Sequence, residues 1–183
     1  MLQIAMLPLE DFRFGHTEAY QLLKRLYEKN GNGSMPPVVR TRFGRPYWEN
    51  SFWHFSISHT KNMVACALSD SPVGLDCETI RSVDPKVLKR ILGKGEREWV
   101  QSQADPNLAF LQIWTMKEAY GKYTGKGLGI LLQGSEFQMT GKTRILEEPN
   151  LQFFTKTVDQ CVVTCCTEKV SQIQWEYWET LTD

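Results

Sequence analysis

The chain has 183 residues, 42% of them apolar and 23% charged, enough to bury a core and typical of an ordinary soluble globular domain. Lys plus Arg and Asp plus Glu both number 21, so no net charge marks a nucleic-acid or membrane partner. No apolar run approaches the length needed to cross a bilayer. Met1–Glu10 lacks the basic start and long apolar stretch of a signal peptide. Five cysteines, an odd number, suit a reducing compartment better than a disulfide framework, so a cytoplasmic protein with buried free thiols is expected.

Leu2–Leu9 reads as a short strand. From His16 to Lys29, the residues Tyr20, Leu23, Leu26 and Tyr27 lie on one side of a helical wheel, which predicts an amphipathic helix. Asn30-Gly31-Asn32-Gly33 stops it, and Pro36-Pro37 holds the chain extended. A strand over Val38–Thr41 leads to a turn at Gly44-Arg45-Pro46, and Phe52–Ser58 alternates as a strand does. Met63–Leu68 and Val73–Leu75 read as a hairpin closed through Ser69-Asp70-Ser71-Pro72. Asp84 can cap a helix with Pro85 at its first position; it should reach Leu92, break at Gly93-Lys94-Gly95 and restart through Trp99. A long helix is predicted over Pro106–Tyr123, ended by the glycine-rich Gly125-Lys126-Gly127-Leu128-Gly129. The tail reads as strands over Glu136–Met139, Leu151–Val158, Gln160–Thr167 and Ile173–Trp178. Helices and strands interleave in both halves, pointing to α/β or α+β with largely antiparallel sheet.

Two acidic clusters carry the chemistry. Asp76 and Glu78 end an apolar run, and in a strand residues two apart share a face. Trp114, Lys117, Glu118 and Lys122 fall at i, i+3, i+4 and i+8, one face of a helix. Adjacent like charges are costly unless a cation sits between them or one is protonated. Three carboxylates and two lysines converging on one place would suit a divalent metal and a phosphate-bearing substrate. Taken singly, each feature has a plainer account: Glu118 and Lys122 as a solvated ion pair, Asp76 and Glu78 as a polar strand end, Trp114 as core, His59 as a structural histidine.

Their order and spacing together decide otherwise. Gly44-Arg45-Pro46, Phe55-Ser56-Ile57-Ser58-His59, Gly74-Leu75-Asp76-Cys77-Glu78 and Trp114 through Lys122 form a pattern that resembles the phosphopantetheinyl transferases of the larger, Sfp-type group. The resemblance runs from Arg42 to Leu128, with Arg at 45 where the family has Lys and Ser at 56 where it has Asn. It implies an α+β fold of two similar halves related by pseudo-twofold symmetry, mostly antiparallel sheets, and an active site in the cleft between them. The halves would be a shortened 1–74 and a metal-carrying 75–183. It also implies a reaction: phosphopantetheine moves from coenzyme A, the co-substrate, to a serine of an acyl or peptidyl carrier protein, releasing adenosine 3′,5′-bisphosphate. The implied cofactor is Mg²⁺, with Asp76, Glu78 and Glu118 as its ligands. Glu118 is the implied base and Lys122 the implied clamp on the pyrophosphate, with Lys117 helping to hold it. Arg45, Ser58 and His59 match the positions that grip coenzyme A, and a further basic residue for the 3′-phosphate is expected from the N-terminal helix. The partners implied are coenzyme A and a carrier domain, with no nucleic acid and no membrane, and the protein itself is implied to be a monomer. Two alternatives remain open on the residues alone: a metal-dependent phosphodiesterase or nuclease, and a non-catalytic module that binds coenzyme A or a carrier.

Overall fold

A computed structural model describes residues 1–127, 137–139, 144–145 and 148–181. In chain order the strands and helices are β1 (Leu2–Pro8), α1 (Gly15–Lys29), β2 (Val39–Arg40), β3 (Pro46–Tyr47), β4 (His54–His59), β5 (Met63–Ser69) and β6 (Gly74–Thr79). They continue as α2 (Pro85–Ile91), α3 (Lys94–Ser102), α4 (Pro106–Thr124), β7 (Phe137–Gln138), β8 (Arg144–Ile145), β9 (Gln152–Val158), β10 (Cys161–Thr167) and β11 (Ile173–Tyr177). The mixed α+β class is therefore as expected. Glu136, Leu128 and Gly129, which the sequence reading includes in its segments, lie outside the described residues.

Two sheets dominate, one ordered β11-β1-β5-β4 and the other β6-β10-β9, with small β2-β3 and β7-β8 pairs beside them. Their ladders are antiparallel except β1 with β11, which run parallel. Strand alternation builds the layers. Along β1, Ala5 and Leu7 join one core with Leu22, Leu23 and Leu26 of α1, while Ile4 and Met6 join another with Leu75, Cys77, Val163 and Cys165 of the second sheet. The two sheets thus share an inner apolar layer. Helix α1 covers the outer face of the first, and α4 packs on the second through Ala119, Tyr120 and Cys166 and through Phe110, Leu111 and Val162. The cysteines at 66, 77, 161, 165 and 166 are all buried and free.

One element pairing differs from the expected one. Residues 63–69 and 74–79 do not form a hairpin: β5 already has β1 on one edge and β4 on the other, so it offers no free edge to β6. The chain instead crosses at Asp70–Val73 to the second sheet, where β6 pairs with β10. The last strand returns the other way, so β11 lies beside β1 in the first sheet.

Helix ends follow their capping chemistry. The Asp84 side chain accepts from Lys86 N at the start of α2, with Pro85 at its first position. Asp105 accepts from Asn107 N and Leu108 N at the start of α4, followed by Pro106. Helix α4 ends at Gly125, whose φ of 71° is the left-handed conformation that glycine adopts without strain. Because α4 is enclosed on several sides, Phe110, Leu111, Ile113, Thr115, Met116 and Ala119 are buried around its circumference. Among the described residues no helix is long and apolar enough to cross a membrane.

Candidate active site

Strand β6 brings its acids to α4 by simple alternation. Val73, Leu75 and Cys77 enter the inner layer. Gly74, Asp76 and Glu78 therefore turn to the opposite face, as the two-residue spacing predicts. Gly74 permits the approach. A Cβ there would lie 2.7 Å from Tyr123 N and 2.9 Å from Tyr123 Cβ, and closer still to the Ala119 carbonyl oxygen. Strand and helix meet backbone against backbone, and the side chains that follow on each element face one another.

A row of hydroxyls fixes the other boundary. Strands β4 and β6 are the free edges of their sheets, and β4 carries Ser56, Ser58 and then Thr60 just beyond it at two-residue spacing. Leu75 N donates to Ser56 Oγ at 2.9 Å, Ser58 Oγ donates to Asp76 Oδ1 at 2.8 Å, and Thr79 N donates to Thr60 Oγ1 at 3.1 Å. Side chains thus stitch two sheet edges that share no ladder, and Asp76 is held by one stitch.

Beside this seam opens a cleft of about 510 Å³. Arg45, Ser58, His59, Asp76, Glu78, Glu118 and Lys122 all line it, so the structure brings seven residues from four sequence motifs into one cleft. Lys122 Nζ donates to Asp76 Oδ1 at 2.8 Å, to Ser58 Oγ at 2.9 Å and to the Ile57 carbonyl at 3.3 Å. This ammonium therefore offsets the charge of Asp76, while Asp76 Oδ2 stays without a partner. Trp114 is half-buried, and its indole N–H donates to Glu78 Oε1 at 3.0 Å. Burial raises the Glu78 carboxyl above the usual range, and the Trp114 bond opposes it. Glu118 is pushed up to about 7, first by burial and then by the charge of Asp76. A proton affinity near neutrality suits a group that takes up and gives back a proton at neutral pH.

Lys117 does not join the others. Its Nζ lies 2.8 Å from Glu96 Oε1 in a pair that is 2% and 0% exposed, away from the cleft. Lys117 follows Met116 into the interior, because one step along a helix turns the side chain about 100°, away from the face of Glu118. Arg45 is also partly committed: Nη1 donates to the Tyr123 carbonyl at 2.8 Å, at the C-terminal end of α4. Burial holds its guanidinium below its ordinary value, and burial with the nearby His16 and Lys122 holds His59 below the ordinary imidazole range. The Ser58 hydroxyl is engaged with Asp76 and Lys122.

Three cleft residues escape the motif reading. His16 and Tyr20 of α1 and Arg40 of β2 line its far end, with Arg40 Nη2 3.5 Å from His16 Nε2 and 3.4 Å from the Tyr20 hydroxyl. Tyr20 packs against the core beneath α1 and also lines the cleft, where its hydroxyl accepts from Arg40. The helical wheel places it on the apolar side, as found, and the neighbouring Arg40 adds its second role.

The family model for the 4′-phosphopantetheinyl transferase superfamily matches residues 72–178, which hold β6 and the whole of α4. The chain belongs to this superfamily. Within it, the chain is 38% identical over 93 residues to 4′-phosphopantetheinyl transferase gsp of Aneurinibacillus migulanus, covering 50% of this chain and 39% of that protein. It is 37% identical over 105 residues to 4′-phosphopantetheinyl transferase psf-1 of Bacillus pumilus, covering 56% and 41%. A longer stretch of 147 residues, 69% of this chain and 54% of the relative, is 26% identical to L-aminoadipate-semialdehyde dehydrogenase-phosphopantetheinyl transferase of Saccharomyces cerevisiae. The matches span about half or less of the length of these relatives.

As it stands, no group of three or more His, Cys, Asp or Glu side chains among the described residues is arranged to hold a metal. The donor set nevertheless fits a hard cation in kind. Asp76, Glu78 and Glu118 offer only carboxylate oxygens to the cleft, and Asp76 Oδ2 is buried without a hydrogen-bond partner. Such an oxygen is costly to leave unpaired, and a cation would satisfy it.

Proposed function

We propose that this superfamily member transfers 4′-phosphopantetheine from coenzyme A to a serine hydroxyl of an apo acyl or peptidyl carrier protein, leaving adenosine 3′,5′-bisphosphate. The observation that carries the reading is the convergence of Asp76, Glu78, Glu118 and Lys122 with Arg45 and His59 in one cleft. In this reading the two helix-covered sheets correspond to the related halves 1–74 and 75–183, with β11 returning to the first.

Coenzyme A would lie with its 3′-phosphate toward Arg40, His16 and His59 and its pyrophosphate toward the acids. Arg40 supplies the fixed cation, and a phosphate there would bring a charge that favours protonated His16 and His59. Asp76, Glu78 and Glu118 would hold Mg²⁺. Bound there, the ion would lower charge repulsion on the pyrophosphate and stabilise the leaving phosphate. The carrier serine oxygen forms a bond to the phosphorus that bears pantetheine, while the bridging bond to the adenosine 5′-phosphate breaks. Glu118, which lines the cleft with Asp76 and Lys122, accepts the serine proton. Lys122 exchanges its bond to Asp76 for the pyrophosphate oxygens and neutralises charge on the departing phosphate. Lys117 has no part in holding the substrate, because its ammonium is buried against Glu96.

The test is incubation of the protein with coenzyme A, Mg²⁺ and an apo carrier, read by intact mass. The carrier should gain one phosphopantetheine, and a carrier with its acceptor serine replaced by alanine should gain nothing. A carrier left unmodified across acyl and peptidyl types at saturating coenzyme A would overturn the reading.

A further inference from the structure

Beside the acidic cleft, but outside it, lies a second charged cluster that the reaction does not use. Glu96 is 0% exposed and Lys117 is 2% exposed, joined at 2.8 Å. Glu96 Oε1 also accepts from Phe137 N at 2.8 Å, and Oε2 accepts from Gly93 N at 2.8 Å. The Lys117 ammonium sits over the Phe137 ring, 5.3 Å from its centroid. One carboxylate therefore ties together the start of α3, the middle of α4 and β7.

Buried ion pairs are poor stabilisers, because the desolvation of both charges offsets most of their attraction. The Phe137 ring beside the ammonium belongs to an apolar cluster with Met116, so an apolar pair could have filled the same space. What an ion pair adds is direction. A Lys117 ammonium fixed on Glu96 permits one rotation of α4 about its axis, whereas apolar contacts tolerate slippage. Glu118 is the next residue in the helix and Lys122 lies one turn further, so fixing Lys117 fixes where both point.

We propose that Glu96 and Lys117 are positioning residues, setting the rotation and register of α4 so that Glu118 and Lys122 face Asp76 and Glu78. The claim that this matters for turnover rests on the transferase reading, but the positioning itself is measurable without it. Trp114 provides the ruler, since its indole N–H reaches Glu78 Oε1 at 3.0 Å only in the correct rotation of α4.

The experiment compares wild type with the neutral, similarly sized pair Glu96→Gln/Lys117→Met, and with Lys117→Met alone. The double variant keeps an acceptor for Phe137 N and leaves no unpaired buried charge, so its Tm should lie within about 6 °C of wild type. Three readouts are taken well below that Tm: the ¹⁵N-resolved Trp114 indole N–H signal, kcat, and KM for coenzyme A. The expected result is a displaced indole signal, kcat lowered about tenfold or more, and KM changed less than about threefold, as loss of a transition-state geometry requires. Lys117→Met alone should lose more Tm than the double variant, because it strands the Glu96 charge. A double variant with an unmoved indole signal, or with a moved signal and wild-type kcat, would overturn the proposal. If wild type itself transfers nothing while the indole signal moves in the double variant, the transferase reading fails and the positioning of α4 stands.

Discussion

Gly74→Ala is the substitution that probes the site most directly without touching a reacting group. The added methyl would start 2.7 Å from Tyr123 N and 2.9 Å from Tyr123 Cβ, against the 3.4–4 Å of ordinary contact, with the Ala119 carbonyl closer still. Two of the three neighbours are helix backbone, which cannot rotate aside as a side chain would. Relief therefore requires β6 and α4 to separate by on the order of 1 Å, and overpacking of this kind costs about 1–3 kcal/mol. For a chain of this length that corresponds to a Tm lower by about 2–12 °C. Activity should fall further than stability does. Asp76 and Glu78 ride on the strand and Glu118 and Lys122 on the helix, so the whole shift appears between them. A misplacement of about 1 Å is enough to cost about 100-fold in rate. The assay is transfer to apo carrier under saturating coenzyme A and Mg²⁺ at a temperature where the variant is folded. Gly33→Ala is the control: its φ of 71° strains an alanine, but nothing lies within 4 Å, so stability should drop while kcat stays at the wild-type value. Gly74→Ala with wild-type turnover and wild-type Tm would refute the argument that this contact sets the site.

Glu118→Gln and Lys122→Met keep side-chain length, so both should fold; transfer by each should fall at least 100-fold, and near wild-type turnover in either would remove that residue from the mechanism. In metal-free protein the Glu118 carboxyl, raised to about 7 from 4.5, favours the folded state while protonated, and that contribution is lost as pH rises through about 7. The Tm advantage of Glu118→Gln over wild type, measured in EDTA, should therefore be close to zero near pH 4.5 and positive by pH 8; a difference independent of pH would contradict the raised proton affinity. Arg40→Ala should raise KM for coenzyme A more than for dephospho-coenzyme A, which lacks the 3′-phosphate, and equal losses with both donors would show that Arg40 does not meet that group.

The site was more legible in the sequence than the path of the chain. Asp76 and Glu78 share a face because strand alternation is local, and Glu118 and Lys122 share a face because helix periodicity is local. The repulsion expected between the acids was legible too, though not that Lys122 would pair with Asp76. Strand partners were not legible. The turn residues Ser69 to Pro72 suit a hairpin, but β5 is paired on both edges by strands distant in sequence, and nothing local reports that competition. Lys117 was misread for a related reason. The helical wheel groups it with Trp114 and Glu118, yet it sits at the inner edge of that face, about 100° from Glu118, where its ammonium pairs with a buried carboxylate on another helix. The Ser56, Ser58 and Thr60 row carried a usable signal, three hydroxyls at two-residue spacing in a strand that would otherwise be free at its edge.

Three restraints of different kinds meet at the acidic cleft, and each removes a different freedom. Gly74 sets how close α4 comes to β6, since backbone meets backbone with no side chain between. The hydroxyl row sets how far one sheet edge slides along the other, because Ser56, Ser58 and Thr60 hold Leu75, Asp76 and Thr79 at three points along β6. The Glu96–Lys117 pair sets how α4 turns about its axis. Apolar layers on both sides supply the cohesion, but they would tolerate small shifts in all three directions. The polar and glycine contacts are where the fold gives up the freedom to shift, and they surround the one region where three carboxylates must be held together against their own repulsion.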